Sequence, residues 1–157
     1  MTYDGASGER SAVWRPAAGV EALTVGPATA GLVATGSLTS SRYGLFRWDM
    51  APASGGPEPH FHRTFSEAFY VLAGTVRLHD GDTWVDAGAG DFLYVPEGGV
   101  HAFRNDGDEP ASMLILFAPG AAREEYFKEL AGIRAERRTL TAEEWTDLYA
   151  RHDQYMV

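Results

Sequence analysis

Glycine, proline and aspartate divide the sequence between Gly31 and Phe117 into short apolar or alternating runs. Each run has about the length of a β-strand. Asp80-Gly81, between two of the runs, is typical of a two-residue hairpin turn, because both central positions of a type I′ turn need positive φ. The runs are Gly31–Ser37, Tyr43–Met50, Ala68–Ala73, Thr75–His79, Thr83–Asp86, Asp91–Val95, Val100–Arg104 and Ser112–Phe117. This spacing predicts an all-β sandwich or barrel.

The pattern changes to a helical one after Ala118-Pro119-Gly120. Phe127, Leu130 and Ile133 recur at intervals of three, which predicts an apolar helix face between residues 123 and 133. A capping box at 141–144 predicts a second helix over about 142–152. We therefore expect a flexible tail at 1–12, a barrel at 13–118 and a helical extension at 119–157 that packs on the barrel.

Charge and composition exclude several functional classes. The formal net charge is -9, and no lysine or arginine cluster offers the basic face that nucleic acids or anionic membranes need. The sequence has no cysteine, so any metal must be bound by nitrogen and oxygen. It has no apolar run of about 20 residues and no apolar signal segment at its start, which leads us to expect a cytoplasmic protein.

Two histidines with a spacing of two, His60 and His62, are the first candidates for chemistry. Residues i and i+2 of a strand point to the same face, so both imidazoles can reach one ion. Glu67 follows at the start of an apolar run, where a carboxylate without a partner would cost several kcal/mol if buried. From these residues alone a solvent-facing glutamate and a histidine pair without a metal remain open alternatives.

Two longer patterns carry a family resemblance. The first is His60-x-His62-x4-Glu67-x6-Gly74, and the second is Gly90-x5-Pro96-x-Gly98-x2-His101-x3-Asn105. Both match the two motifs of the cupin superfamily, and the 15 residues between them are the short spacing of compact single-domain cupins. One departure is Ser54, which stands where the family's opening glycine would fall.

The resemblance implies an antiparallel jelly-roll β-barrel, here followed by two short C-terminal helices. It also implies one divalent metal ion inside the barrel, bound by His60, His62, Glu67 and His101. Three imidazoles and one carboxylate suit Fe, Mn, Ni, Co, Cu or Zn, and four protein ligands leave coordination positions open. We expect Asn105 to cap a turn rather than to contact the metal, and we expect His79 and His152 to lie outside the site.

Strand parity predicts which side chains surround the metal. Phe69 and Val71 share a face with Glu67, and Phe103 shares one with His101. Phe46, Trp48 and Met50 form an alternating apolar face on an earlier strand. These six residues are expected to line a substrate pocket, with a simple core role as the open alternative.

The tail and the ligand set are similar to those of quercetin dioxygenase-like cupins. This resemblance implies an oxygenase (a dioxygenase) of a phenolic or enolic small molecule, in which Glu67 is both a ligand and the catalytic base. The alternatives are a redox-neutral isomerase, lyase or polyketide cyclase that uses the same metal as a Lewis acid, and a non-catalytic binding protein. The expected partner is a small-molecule substrate, and a homodimer is expected from exposed strand edges.

Overall fold

A computed structural model describes residues 2–157, and the strands within that range form three antiparallel sheets. The strands are β1 Ala22–Val25, β2 Ala28–Ala34, β3 Gly44–Met50, β4 His60–Phe61, β5 Ser66–Ala73, β6 Val76–His79, β7 Trp84–Ala87, β8 Phe92–Val95, β9 Ala102–Arg104, β10 Ala111–Ala118 and β11 Tyr155–Met156. The largest sheet has the order β1-β2-β3-β10-β5-β8, the second β7-β6-β9, and the third β11-β4. The predicted all-β jelly-roll barrel with C-terminal helices is confirmed.

Alternation of side chains separates the core of the barrel from its surface. In β3, Phe46, Trp48 and Met50 are buried, whereas Arg47 and Asp49 point outward and form an ion pair with a 3.0 Å Nε–Oδ2 distance. The register pairs Phe46 with Ile115 on β10, which is also buried. Because side chains alternate along each strand, the buried side chains of β3 and β10 lie next to each other on the inner face of the sheet.

Three strands lie outside the runs that the sequence pattern indicates. They are β1, β4 and β11, and the last two contain only two residues each. A strand of two residues is too short to show alternation, which explains why it cannot be recognised from pattern. The predicted strand at Gly31–Ser37 is wrong after Ala34, because a short helix α1 occupies Gly36–Thr39.

Two glycines, Gly74 and Gly56, lie at positions of the barrel where a larger residue would clash with another backbone segment. Gly74 follows β5 with φ +71°, and a Cβ atom there would lie 2.4 Å from the carbonyl oxygen of Pro110. A Cβ at Gly56 would lie 1.7 Å from the carbonyl oxygen of Phe103. Only glycine permits both the left-handed conformation at residue 74 and the close backbone approach at residue 56.

Two helices follow the last long strand: α2 at Arg123–Ala135 and α3 at Ala142–Arg151. The predicted capping box is confirmed, since Thr141 and Glu144 exchange side-chain and backbone hydrogen bonds. On α2, Phe127 and Ile133 are buried, and the Phe127 ring lies 5.2 Å from that of Trp48.

The division of the chain at residues 12 and 118 stays a prediction. Residues 2–12 are exposed and contain neither a helix nor a strand, while Met1 lies outside the described residues. No helix within 2–157 has the length and apolar character needed to cross a bilayer.

We expect Phe127→Ala to lower the free energy of unfolding by about 3–5 kcal/mol, because it removes a buried ring and leaves a cavity against β3. Denaturant unfolding measures the change. Lys128→Ala, an exposed neighbour on the same helix, is the control and should change stability by less than about 0.5 kcal/mol. Equal losses in the two variants would show that α2 does not depend on this contact.

Candidate metal centre

Two backbone hydrogen bonds bring the two histidine motifs together. The His60 N–H donates to the His101 carbonyl at 3.0 Å, and the His101 N–H donates to the His60 carbonyl at 2.9 Å. His62 follows β4, and Glu67 lies on β5. All four side chains are at most 5% exposed, and one donor atom from each lies within 4.8 Å of the others. The structure therefore places the four sequence-predicted ligands in one buried cluster.

The Nδ1 atom of each imidazole faces a backbone carbonyl oxygen. The distances are 2.7 Å for His60 to Glu58, 2.6 Å for His62 to Asp153 and 3.0 Å for His101 to Gly99. A carbonyl oxygen only accepts, so Nδ1 must carry the proton and donate it. In the neutral ring this leaves the Nε2 lone pair free, which is the arrangement of a histidine that binds a metal through Nε2.

Glu67 Oε2 lies between two of these Nε2 atoms. It is 3.0 Å from His62 Nε2 and 2.8 Å from His101 Nε2. Since each Nδ1 already donates, two neutral rings would turn lone pairs toward an anionic oxygen. A proton or a metal cation is needed to make these contacts attractive. The donor set of three nitrogens and one carboxylate suits a borderline divalent metal, so the residues present fit the ion that the motifs imply.

Electrostatics divide the cluster into groups with different affinity for protons. Burial and the neighbouring His101 lower the pKa of His60 from 6.5 to about 3. Burial opposes ionisation of Glu67, but hydrogen bonds from His101 and His62 overcome it and hold the pKa of that carboxyl well below its usual range. Burial also lowers the pKa of His101, yet the hydrogen bond and charge of Glu67 dominate together, so its net pKa lies above the usual value.

A cavity of about 330 Å³ adjoins the cluster and is bordered by His60 and Glu67. Three of the six predicted pocket residues, Trp48, Met50 and Phe103, line it. The other three, Phe46, Phe69 and Val71, do not: each is fully buried in the hydrophobic core. Phe46 packs edge-on against Phe117 at 5.4 Å, so neighbouring side chains fill the space that the parity rule assigned to a ligand.

Sequence reasoning missed a large part of the cavity wall. The two helices, the last strand and the connection between α3 and that strand supply Arg123, Tyr126, Phe127, Leu130, Arg134, Trp145, Tyr149, Gln154 and Met156. Ser54, at the position of the missing family glycine, also borders the cavity. The helical periodicity indicated packing on the barrel, but it contains no signal for which residues reach the interior.

The C-terminal segment also holds the loop that follows β4. Asp153 accepts hydrogen bonds from the Arg63 and Thr64 backbone N–H groups, the latter at 2.8 Å, while its own carbonyl accepts from His62 Nδ1. β11 pairs with β4 next to this loop, and Arg63 lies 4.0 Å over the Tyr155 ring. The ring orientation of His62 thus depends on Asp153, 91 positions later in the chain.

The remaining polar candidates lie apart from the cluster. Asn105 donates to the carbonyls of Ala51 and Glu109 and accepts from the Gly107 N–H, so it stabilises a turn. His79 Nδ1 accepts from the Gly81 N–H at the predicted hairpin. His152 faces Glu129 with an Nε2–Oε2 distance of 2.7 Å.

Comparison with known proteins agrees with the fold. Residues 46–117 match the family model described as a cupin domain. A germin-like protein 5-1 from Oryza sativa subsp. japonica is 38% identical over 74 residues, which cover 43% of this chain and 32% of that protein. Quercetin 2,3-dioxygenase from Bacillus subtilis (strain 168) is 32% identical over 71 residues, covering 45% and 20%. The chain thus spans a third or less of the length of these relatives.

A solved structure gives the same result at lower identity. The polyketide cyclase RemF from Streptomyces resistomycificus superposes with a TM-score of 0.59 at 22% identity, covering 69% of this chain and 80% of that one. Likeness at this level of identity concerns the fold alone.

We expect the imidazoles of His60 and His101 to titrate far apart in the metal-free protein. As the pH falls, the imidazole of His101 should become protonated while the pH is still above 6.5, whereas His60 should stay neutral down to about pH 3. Glu67→Gln removes the carboxylate charge that raises the pKa of His101, so that pKa should fall. Imidazole ¹⁵N chemical shifts followed over pH measure both groups, and a shared midpoint near 6.5 would contradict the assigned contacts.

Proposed function

Because this chain folds as a cupin with four buried donors in its barrel, we propose that it binds one divalent metal ion and acts on a small organic molecule. His60, His62, Glu67 and His101 would hold the ion through Nε2 atoms and the carboxylate. The observation that carries the proposal is the convergence of the four donors within 4.8 Å of one another, with His60 and Glu67 at the wall of a cavity of about 330 Å³. If these four side chains only stabilised the fold, there would be no reason for a cavity beside them.

The proposed reaction is the dioxygenation of a phenolic or enolic substrate. Both atoms of O2 enter the substrate, so the reaction needs no external reductant. The named activity of the Bacillus relative over the matching 71 residues supports this choice, as does the aromatic wall formed by Trp48, Phe103 and Tyr126. Such a wall favours a flat apolar substrate with few polar groups.

Glu67 is the proposed base. A bound divalent ion supplies positive charge, which lowers the pKa of a hydroxyl group in contact with it. Glu67 Oε2 is occupied by His62 and His101, whereas Oε1 has no hydrogen-bond partner among residues 2–157. Since Glu67 borders the cavity, Oε1 is the atom we assign to take the hydroxyl proton.

The apolar lining has its own part in the proposed reaction. Side chains such as Met50, Phe127 and Trp145 keep bulk water from the substrate. Interactions between charges strengthen when water is excluded, which favours the substrate oxyanion beside the cluster. Residues from both the barrel and the helices therefore take part in the same task.

The proposal also includes a homodimer. Tyr70, Phe92 and Tyr94 are each more than 40% exposed on the outer face of β5 and β8, and β8 is the edge of the large sheet. Tyr70 and Phe92 are direct cross-strand partners, so their rings form one apolar surface. Contiguous exposed aromatics beside a free edge favour association with a second copy; sedimentation velocity would give the mass.

We expect the purified, reloaded protein to bind one divalent metal per chain, and the double variant His60→Ala/His62→Ala to lose stoichiometric binding because half of the donors are gone. Elemental analysis after chelation and reloading gives the metal content. His79→Ala is the matched control, since His79 lies outside the cluster. Equal metal content in the double variant and the wild type would refute the ligand assignment.

We expect Fe(II)-, Mn(II)- or Ni(II)-loaded protein to consume O2 with a flavonol, an enediol or a β-diketone in an oxygen-electrode assay. Glu67→Gln should lower the rate by about 10²–10⁴-fold, the range of general-base catalysis, and weaken metal binding less. Glu58→Gln is the matched control, because Glu58 borders the same cavity but is exposed.

The alternatives appear as distinct outcomes of this assay. Conversion of the same compounds without O2 would replace the dioxygenase by a redox-neutral isomerase, lyase or cyclase with the same base. Tight binding without any turnover would identify a non-catalytic binding protein.

A further inference from the structure

Arg123, the first residue of α2, carries a buried positive charge with no close anionic partner. Its side chain is 4% exposed. None of the ion pairs among residues 2–157 includes Arg123. Arginines are almost never fully buried unless they are paired, because removing an unpaired ion from water costs several kcal/mol. The absence of a counter-ion therefore needs a physical explanation.

The hydrogen bonds of Arg123 leave much of its guanidinium unused. Nη1 donates to the His152 carbonyl at 2.8 Å, and Nη2 donates to Gln154 Oε1 at 3.3 Å. Both acceptors are neutral. Nε is buried without any partner, and a guanidinium has five N–H donors in all. Three N–H groups are therefore free to donate to something else.

Aromatic rings surround this cation without neutralising it. The guanidinium carbon lies 4.2 Å from the Tyr126 ring centroid and 5.4–5.6 Å from those of Phe65, Phe117 and Phe127. Ring faces attract a cation, but they carry no net charge. Glu67 and Asp153 are near enough to affect Arg123 electrostatically, but neither forms an ion pair with it. Glu67 Oε2 is already shared between two imidazoles, and the Asp153 carboxylate accepts from the Arg63 and Thr64 N–H groups.

Arg123 also borders the cavity that Glu67 and His60 border. A second polar atom there, Ser54 Oγ, is likewise buried without a hydrogen-bond partner. Most of the remaining wall is apolar, including Trp48 and Trp145. The cavity thus combines an apolar body with one buried cation that has no close counter-ion and one free hydroxyl, whereas Arg134, the other arginine at its wall, is exposed.

We propose that the cavity selects organic acids, and that Arg123 binds the ligand's carboxylate through its unused N–H groups while Ser54 contributes a further hydrogen bond. The apolar body of the acid lies against the aromatic wall, and its hydroxyl or enol oxygen is left for Glu67. This inference deepens the proposed function and rests on it, because it names the substrate class of the same site. If Arg123 only held the segment at His152–Gln154 in place, it would use two of its five N–H donors, and its buried positive charge would have no explanation.

The test compares an acid with its neutral analogue. Trp48 and Trp145 line the cavity, so their fluorescence reports binding of 3-phenylpropanoate and of 3-phenylpropanamide. Both are titrated into the zinc-loaded protein and into the metal-free protein, where a carboxylate gains nothing from a metal. We expect the acid to bind at least about tenfold more tightly than the amide in both forms, as charge-assisted hydrogen bonds predict.

Three variants locate the effect. Arg123→Met should abolish the acid preference of the metal-free protein, and Arg123→Lys, which keeps the charge, should retain part of it. Arg134→Met is the matched control, because Arg134 borders the cavity from the same helix but is exposed; its preference should stay close to wild type. Circular dichroism and zinc stoichiometry establish that each variant is folded. If Arg123→Met does not fold, the acid-to-amide ratio of the wild type and of Arg123→Lys still decides.

The inference is overturned by equal affinities for acid and amide in the wild type. It is also overturned if Arg123→Met keeps the wild-type ratio, or if Arg134→Met alone loses it. Its failure is distinguishable from that of the proposed function. Zinc binding without acid preference removes only the carboxylate site, whereas acid preference without zinc binding removes the metal proposal and leaves Arg123 as an anion-binding residue.

Discussion

Glu67 lies inside the barrel with one carboxylate oxygen shared between His62 and His101, and much of the surrounding structure serves this contact. A buried carboxylate without partners would cost several kcal/mol. The buried position of Glu67 depends on imidazoles whose Nδ1 atoms donate to backbone carbonyls. It also depends on the two backbone hydrogen bonds between His60 and His101. The register of the strands therefore determines whether the cluster exists at all.

The C-terminal segment contacts the cluster of His60, His62, Glu67 and His101 and helps to hold it in place. Asp153 binds the loop after β4 and orients His62, while β11 extends β4 by two pairs. Arg123 ties the start of α2 to the carbonyl of His152. Together these contacts place helix residues at the cavity wall. The C-terminal segment therefore determines both the orientation of His62 and part of the cavity wall.

The proposed reaction depends on this combination more than on the fold. The jelly roll supports unrelated chemistries, so the barrel and its donor set leave oxygenation, isomerisation and cyclisation open. What distinguishes this chain is the environment of the cavity: an apolar wall, a carboxylate with one free oxygen, and a buried guanidinium that lacks a counter-ion. Charge that is buried without compensation is costly, and a ligand of opposite charge relieves that cost. The ligand's own charge is thus the property on which this cavity can select.

Local pattern was enough to predict a sandwich or barrel, the two helices with their capping box, and His60 and His62 on one strand face. The full set of four converging residues came from the resemblance of the two motifs to those of the cupin superfamily. The features predicted from pattern arise from short-range rules: alternation in strands, capping at helix starts, and a shared face for strand residues two positions apart. Pattern also assigned Trp48, Met50 and Phe103 to the pocket, but it could not separate them from Phe46, Phe69 and Val71. Strand parity predicts which face of the sheet a side chain is on, but not whether that side chain borders a cavity or is covered by other core residues. Only the tertiary structure decided that Arg123, Ser54 and Asp153 belong to the site. Their positions follow from contacts between distant parts of the chain, such as that between Arg63 and Asp153, which are 90 positions apart, and such contacts leave no periodic trace in the sequence.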